Sequence, residues 1–282
     1  MYKKKHFLTL KRALLFCLYL FLYQTVSIAS AQTEFIFDSL HIQNYQDYLH
    51  LAFDLKKDNS DFDTKDGISV YLSNYKDILS LLITEDFTRF EKLSKNEGVR
   101  LAILEEMDVK SPYYLFTQAE IKLQWAIVKL KYGNKLAAVW SLRQAYKIFL
   151  ENEKKFPNFT PNKKSLGLLQ TVFATVPQKY QWAMQVIGLK GDLKKGLANI
   201  REVMDGNGVY SLEAHIYDAL LRVYILGEND SVLQNLRQIN IEKKGNLLLD
   251  FVSCMLYMKT KHSQEALQIL KQISETSHTK IP

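Results

Sequence analysis

An all-α fold is predicted, an α-α superhelix of tetratricopeptide-like helical hairpins with one inserted helix, and three observations predict it. Helical periodicity runs nearly throughout, and nothing alternates as a strand over more than a few residues. One spaced pattern opens four times, at Gly133, Gly191, Gly227 and Lys261. A small or apolar residue follows five positions later and apolar residues nine and twelve later: Ala138, Leu142 and Ala145; Gly196, Ile200 and Val203; Val232, Leu236 and Ile239; Ala266, Leu270 and Ile273. The last two steps between openings, 36 and 34 residues, approach the ~34-residue period of helix-turn-helix repeats.

The spacing has a physical cause. Positions four and then three residues apart lie on one face of a helix. The first must be small for the two helices of a hairpin to approach, and the Gly before it supplies a left-handed residue that ends the first helix. No hairpin buries its apolar stripe alone, so neighbours must stack.

Taken in order, the elements begin with an export signal. Lys3, Lys4, Lys5, Lys11 and Arg12 precede the apolar run Ala13 to Tyr23, and Ala29-Ser30-Ala31 is a cleavage site before Gln32. Residues 1–31 are read as a signal peptide and 32–282 as the repeat domain, exported to the periplasm or envelope of a diderm bacterium. The run is shorter than the roughly 20 residues of a spanning helix, so membrane association is expected only if the signal is retained.

Helices are expected near 36–57, 66–83, 86–107, 112–132, 135–155, 162–175, 178–188, 192–205, 211–226, 229–241, 245–260 and 263–276. The acidic stretch from Asp58 to Thr64 ends the first and caps the second. Ser111-Pro112 is an N-cap followed by Pro at the first helical position. The 58-residue step from Gly133 to Gly191 holds one period and an extra helix, 162–175, packed across the stack before Val176-Pro177. Gly206-Asn207-Gly208 is a helix stop and turn, and the tail from Ser274 is polar.

Charge and cysteine content exclude several functions. The chain carries +7, but its first 31 residues hold five Lys or Arg and no Asp or Glu, which leaves +2 and no case for nucleic acid. Lys154-Lys155, Lys163-Lys164 and Lys243-Lys244 fall at expected helix ends and are read as solvated. Of two Cys, Cys17 lies in the signal, so Cys254 has no intrachain partner and reads as a buried, inert thiol at a small packing position.

The run from Lys164 to Gly196 has Gly167, Pro177, Gly188, Gly191, Asp192, Gly196 and Leu197 in the order Gly, Pro, I-G-x-x-G-D, x-x-x-G-L. It resembles the tetratricopeptide repeat protein 39 family and its fungal inclusion-body clearance relatives. With Ser111-Pro112-Tyr113-Tyr114 ahead of it, it also resembles a group of secreted bacterial helical-repeat proteins. The resemblance covers roughly residues 112–205 and implies an all-helical adaptor without catalysis.

No catalytic motif emerges from the residues. There is no H-E-x-x-H, G-x-S-x-G, P-loop or G-x-G-x-x-G, and Glu105-Glu106 diverge on a helix, so no enzyme activity, metal or cofactor is expected. Asp38-Ser39-Leu40, Asp230-Ser231-Val232 and Asn158-Phe159-Thr160 match short glycosylation patterns that recur by chance. The inner face of a stack is made by first helices. The repeat frame projects Leu123, Ile127 and Lys131, then Gln181 and Gln185, then Tyr217, Leu221 and Tyr224, then Phe251, Met255 and Met258 onto it. Aromatic and Met side chains supply contact area and adaptable packing. The candidate binding residues for a protein or peptide partner are therefore Leu123, Ile127, Lys131, Gln181, Gln185, Tyr217, Tyr224, Phe251 and Met255. The same stripe at helical spacing also suits a core, and exposure decides. The alternative is a small-ligand or lipid carrier with an apolar pocket around the inserted helix.

Overall fold

The computed structural model describes residues 34–54, 63–242 and 245–276, which are all-helical with no strand among them. In chain order the helices are α1 (Ser39–Leu49), α2 (Gly67–Thr84), α3 (Phe87–Leu93), α4 (Asn96–Glu105), α5 (Pro112–Lys131), α6 (Lys135–Lys155), α7 (Pro161–Ala174), α8 (Gln178–Val186), α9 (Leu193–Asp205), α10 (Ser211–Leu221), α11 (Asp230–Glu242), α12 (Leu247–Lys259) and α13 (Ser263–Thr276). A π-helical turn, Arg222–Leu226, prolongs α10. The export signal, the acidic stretch at 58–62, Lys243-Lys244 and the last six residues lie outside the described residues. Among those described, no helix is long and apolar enough to cross a membrane.

Short polar side chains start the helices. Asp38, Asp66, Asp86, Asp192 and Asn246 accept from the backbone N–H of His41, Ile68, Arg89, Lys195 and Leu249 at 2.9–3.0 Å, which satisfies donors that a helix N-terminus leaves open. Ser111 does the same for Tyr113, and Pro112 holds the first position of α5. Two expected helices differ in extent. The first ends at Leu49, not 57, because Leu51 turns left-handed (φ 51°) and the chain folds back to bury Leu51 and Phe53. The helix expected at 86–107 is two, α3 and α4, and at the break the Ser94 hydroxyl donates to the Glu91 carbonyl at 3.0 Å, a local bond that competes with the helix.

The turns follow the repeat frame with one correction. Gly133, Gly227 and Lys261 are left-handed, with φ of 83°, 71° and 66°. The next N–H reaches back into the finished helix, from Asn134 to Lys129 and from His262 to Tyr257, each at 2.8 Å. In the second hairpin, however, the left-handed residue is Gly188 (φ 74°), with Leu189 bonded to Met184 at 2.8 Å. Gly191 serves close approach instead, since a Cβ there would lie 1.9 Å from the Ala174 backbone nitrogen.

That contact reassigns the inserted helix. A Cβ on Gly167 would stand 2.6 Å from the Gly196 carbonyl oxygen, and one on Gly196 would stand 2.8 Å from that of Gly167 and 2.4 Å from Thr171 Oγ1. Hence α9 is packed along α7, and α8 is the element that stands outside, with none of its residues buried. Ala138, Gly196, Val232 and Ala266 are all buried, as close helix approach requires. Leu270, expected to pack, is exposed on the last helix.

Two apolar cores result. The larger joins α1 to α9 and one side of α10, around Tyr71, Phe116, Trp125 and Phe149. The smaller joins α10 to α13 around Leu236, Leu249 and Leu256, and the partly buried Leu212 and Leu248 touch both.

Candidate functional site

α12 is apolar nearly all round but covered on one side only. Leu249, Val252, Leu256 and Tyr257 enter the smaller core. Phe251, Met255 and Met258, four and then three residues apart, share the opposite face and are 44%, 37% and 64% exposed. The π-helical turn adds Tyr224 and Ile225, both exposed, and the Lys259 ammonium stands 5.5 Å above the Tyr224 ring, which ties the two elements together. The result is an exposed apolar strip edged by a cation.

Of the sequence-predicted residues, Tyr224, Phe251 and Met255 come together here and the others do not. Leu123 is core, 1% exposed, because α5 is sandwiched between α2 and α6. Ile127 is partly buried beside it. Lys131 is exposed and paired with Glu85 at 2.6 Å. Gln181 donates to the Val176 carbonyl at 2.7 Å, and Gln185 is exposed, both on the outlying α8. Tyr217 is half-buried and donates to Glu213 at 2.6 Å, so its polar tip is turned inward.

Sequence reasoning missed the polar interior. Lys164, read as solvated, is fully buried: its Nζ donates to Glu213 at 2.8 Å and to Glu120 at 3.2 Å, and lies 5.3 Å from the rings of Tyr210 and Tyr217. Tyr45 donates to Glu213, and Ser165 to Glu120. Burial would push the Lys164 ammonium down, but the two carboxylates outweigh it and hold its pKa above the usual lysine value. Burial lifts Glu120 above the usual carboxylate range, with Lys164 opposing and Glu213 adding. Burial also raises Tyr45, Tyr75 and Tyr217 well above the ordinary phenol value. The signal was present, since Lys164 stands three residues before Gly167 and seven before Thr171, on the packed face of α7.

A second interior network hangs on Arg100. Its guanidinium donates to Asp77 at 2.6 Å, Ser73 at 2.9 Å and Asn74 at 3.2 Å, and Asn74 also accepts from Trp125 Nε1 at 2.8 Å. The charged groups of both networks are buried, and each network joins helices far apart in sequence.

An open cleft of about 700 Å³ runs between the end of α1 and α10–α11, lined by Gln46, His50, Asn207, Ser211, His215 and Ile239. A smaller one, about 350 Å³, continues past His215 and Ile239 to Asp218 and Asn235. Neither is lined by α7 or α8. Among the described residues no group of three or more His, Cys, Asp or Glu gathers as a metal site. Cys254 is buried beside the Ala266 carbonyl, and burial raises its thiol pKa. No protein-family model, curated protein or solved structure matches the chain, so the resemblance stated above rests on the residues that carry it.

Proposed function

We propose that the protein is an exported, non-catalytic helical-repeat adaptor whose hairpins stack in the tetratricopeptide manner and whose last two hairpins hold a segment of a protein partner. The observation that carries this reading is the exposed strip of Tyr224, Phe251, Met255 and Met258. Aromatic and Met side chains left in water on a helix covered on its other side supply the anchors that dominate protein interfaces. The buried networks support the same reading, because the chemistry-bearing groups of the interior are sealed off from any substrate.

The test is site-specific photo-crosslinking. A photoreactive residue in place of Met255 is expected to capture a discrete polypeptide in cells, and one in place of the exposed Glu106 is not. Tyr224→Ser with Phe251→Ser and Met258→Ser abolishes the adduct. The same adducts at both positions, or none at Met255, overturn the reading.

A second reading, a small-ligand carrier, draws on the 700 Å³ cleft, a volume in the range of ligand pockets. Its polar lining suits a polar ligand, and it lies away from the apolar insertion where a lipid pocket was expected.

A further inference from the structure

Apolar helices hide their side chains, and α8 does not. Trp182 and Val186, one turn apart, are 68% and 77% exposed, with Tyr180 exposed beside them. At the start of α6, Leu136 and Trp140, also one turn apart, are 80% and 57% exposed. Arg143 joins the two helices: its Nε donates to the Ile187 carbonyl at 2.6 Å, and its guanidinium lies 5.6 Å from the Trp140 ring centre. Tyr146 fixes the following loop by donating to the Lys190 carbonyl at 2.6 Å. Two Trp, a Tyr and two aliphatic side chains thus stand together in water.

The charge around them is mostly positive. Segments 135–147 and 178–195 hold Lys135, Arg143, Lys147, Lys179, Lys190, Lys194 and Lys195. Against them stands one carboxylate of those segments, Asp192, which caps α9. From outside them Glu153 reaches only Lys195. This concentration is local, because residues 32–282 carry a net charge of only +2.

We propose that this face docks on an anionic lipid surface. Trp and Tyr rings have an apolar body and a polar edge and settle at the headgroup level of a bilayer, while Lys and Arg around them meet lipid phosphates. A fluid surface also accepts side chains that stand at different heights on two short elements, where a protein partner would need a matching shape. The face is separate from the strip at Tyr224 and Met258, so it would place the adaptor against a membrane with that strip still free.

Tryptophan fluorescence of the full chain tests it. Of three Trp, Trp125 is buried, and residues 1–33 contain none, so a vesicle-induced change reads Trp140 and Trp182 even where the N-terminal apolar run inserts. Vesicles of phosphatidylglycerol with brominated acyl chains are expected to shift the emission to the blue and quench it, with the effect declining as salt rises. Lys179→Glu with Lys190→Glu weakens this partitioning by roughly tenfold or more. Because both Lys are exposed, the circular dichroism of that variant stays as in the wild type. Three outcomes overturn the proposal: no quenching by these vesicles, equal and salt-independent quenching by phosphatidylcholine vesicles, or a concentration-dependent blue shift without lipid, which would assign the face to a second copy of the chain.

Discussion

The body formed by α1–α10 and the hairpins of α11–α13 are built from similar helices but are closed by different means. In the body, polar bonds span the chain: Tyr45 on α1 meets Glu213 on α10, with Lys164 of α7 between Glu213 and Glu120 of α5. The last hairpins share an apolar core around Leu236, Leu249 and Leu256, the Cys254 thiol reaches the Ala266 carbonyl, and apolar side chains remain in water. The difference teaches that turn spacing is legible where contacts run mainly between helices near in sequence. In the tail the turns fall where the spacing put them, at Gly227 and at Lys261, which is left-handed although it is no Gly. In the body, where one ammonium gathers helices far apart in sequence, the frame misplaced both the turn Gly and the inserted helix.

Alkaline pH offers the widest separation of the two regions. Burial raises Tyr45, Tyr71, Tyr75, Tyr210 and Tyr217 well above the ordinary phenol value, and Lys164 is raised by its carboxylates. The folded state therefore keeps protons that the unfolded chain releases near pH 10. Stability is fully present below that pH and falls above it, by up to about 1.4 kcal/mol per pH unit for each group. The absorbance of the full set of tyrosinates is expected to be reached only with the loss of the circular dichroism signal. A full set reached with the helices intact would break the comparison.

Next comes Glu213→Leu, which leaves Lys164 only Glu120, at 3.2 Å, takes the acceptor from Tyr45 and Tyr217, and is expected to destabilise by about 3–5 kcal/mol. Replacing Glu120, Lys164 and Glu213 together by apolar residues should cost less than that single change, because no charge is left unpaired. Urea midpoints compare the two, and a triple variant weaker than the single one would show that the network's bonds, not its unpaired remainder, set the effect.

Helix approach separates the regions less. Gly196→Leu drives a side chain into the α7 backbone and is expected to destabilise by about 3 kcal/mol, whereas Ala266→Leu, in a hairpin whose outer face is open, does so by about 1 kcal/mol. Equal midpoints for the two would show that both hairpins pack alike. The smallest effect divides two tyrosines seven residues apart. Tyr217→Ser loses the bond to Glu213 and leaves a cavity, for about 2 kcal/mol, while Tyr224→Ser stays within about 0.5 kcal/mol. Melting curves of the two single variants sharpen the boundary between interior and strip.

How much was legible follows the same physics. Helix positions came from local signals, since a cap or a turn Gly acts within a few residues: Ser111-Pro112 and Gly133 act where they were read, while the cap of α2 is Asp66, two residues past the stretch read as capping it. The exposed strip was legible as spacing at Phe251, Met255 and Tyr224, but not as surface. Leu123 carries the same kind of signal and is core. An apolar side chain at helical spacing records that a face is apolar and not what covers it.

By itself, then, the sequence determined the all-helical class, most helix limits, the small residues at helix contacts and the left-handed turns at Gly133 and Gly227, because each depends on backbone preferences and near neighbours. Tertiary structure alone decided that α7 and not α8 packs on α9, that Lys164 is buried between two carboxylates, and which apolar stripes meet water. Those outcomes depend on elements far apart in the chain arriving at one place, and a charge is placed inside a protein only by the partners waiting there.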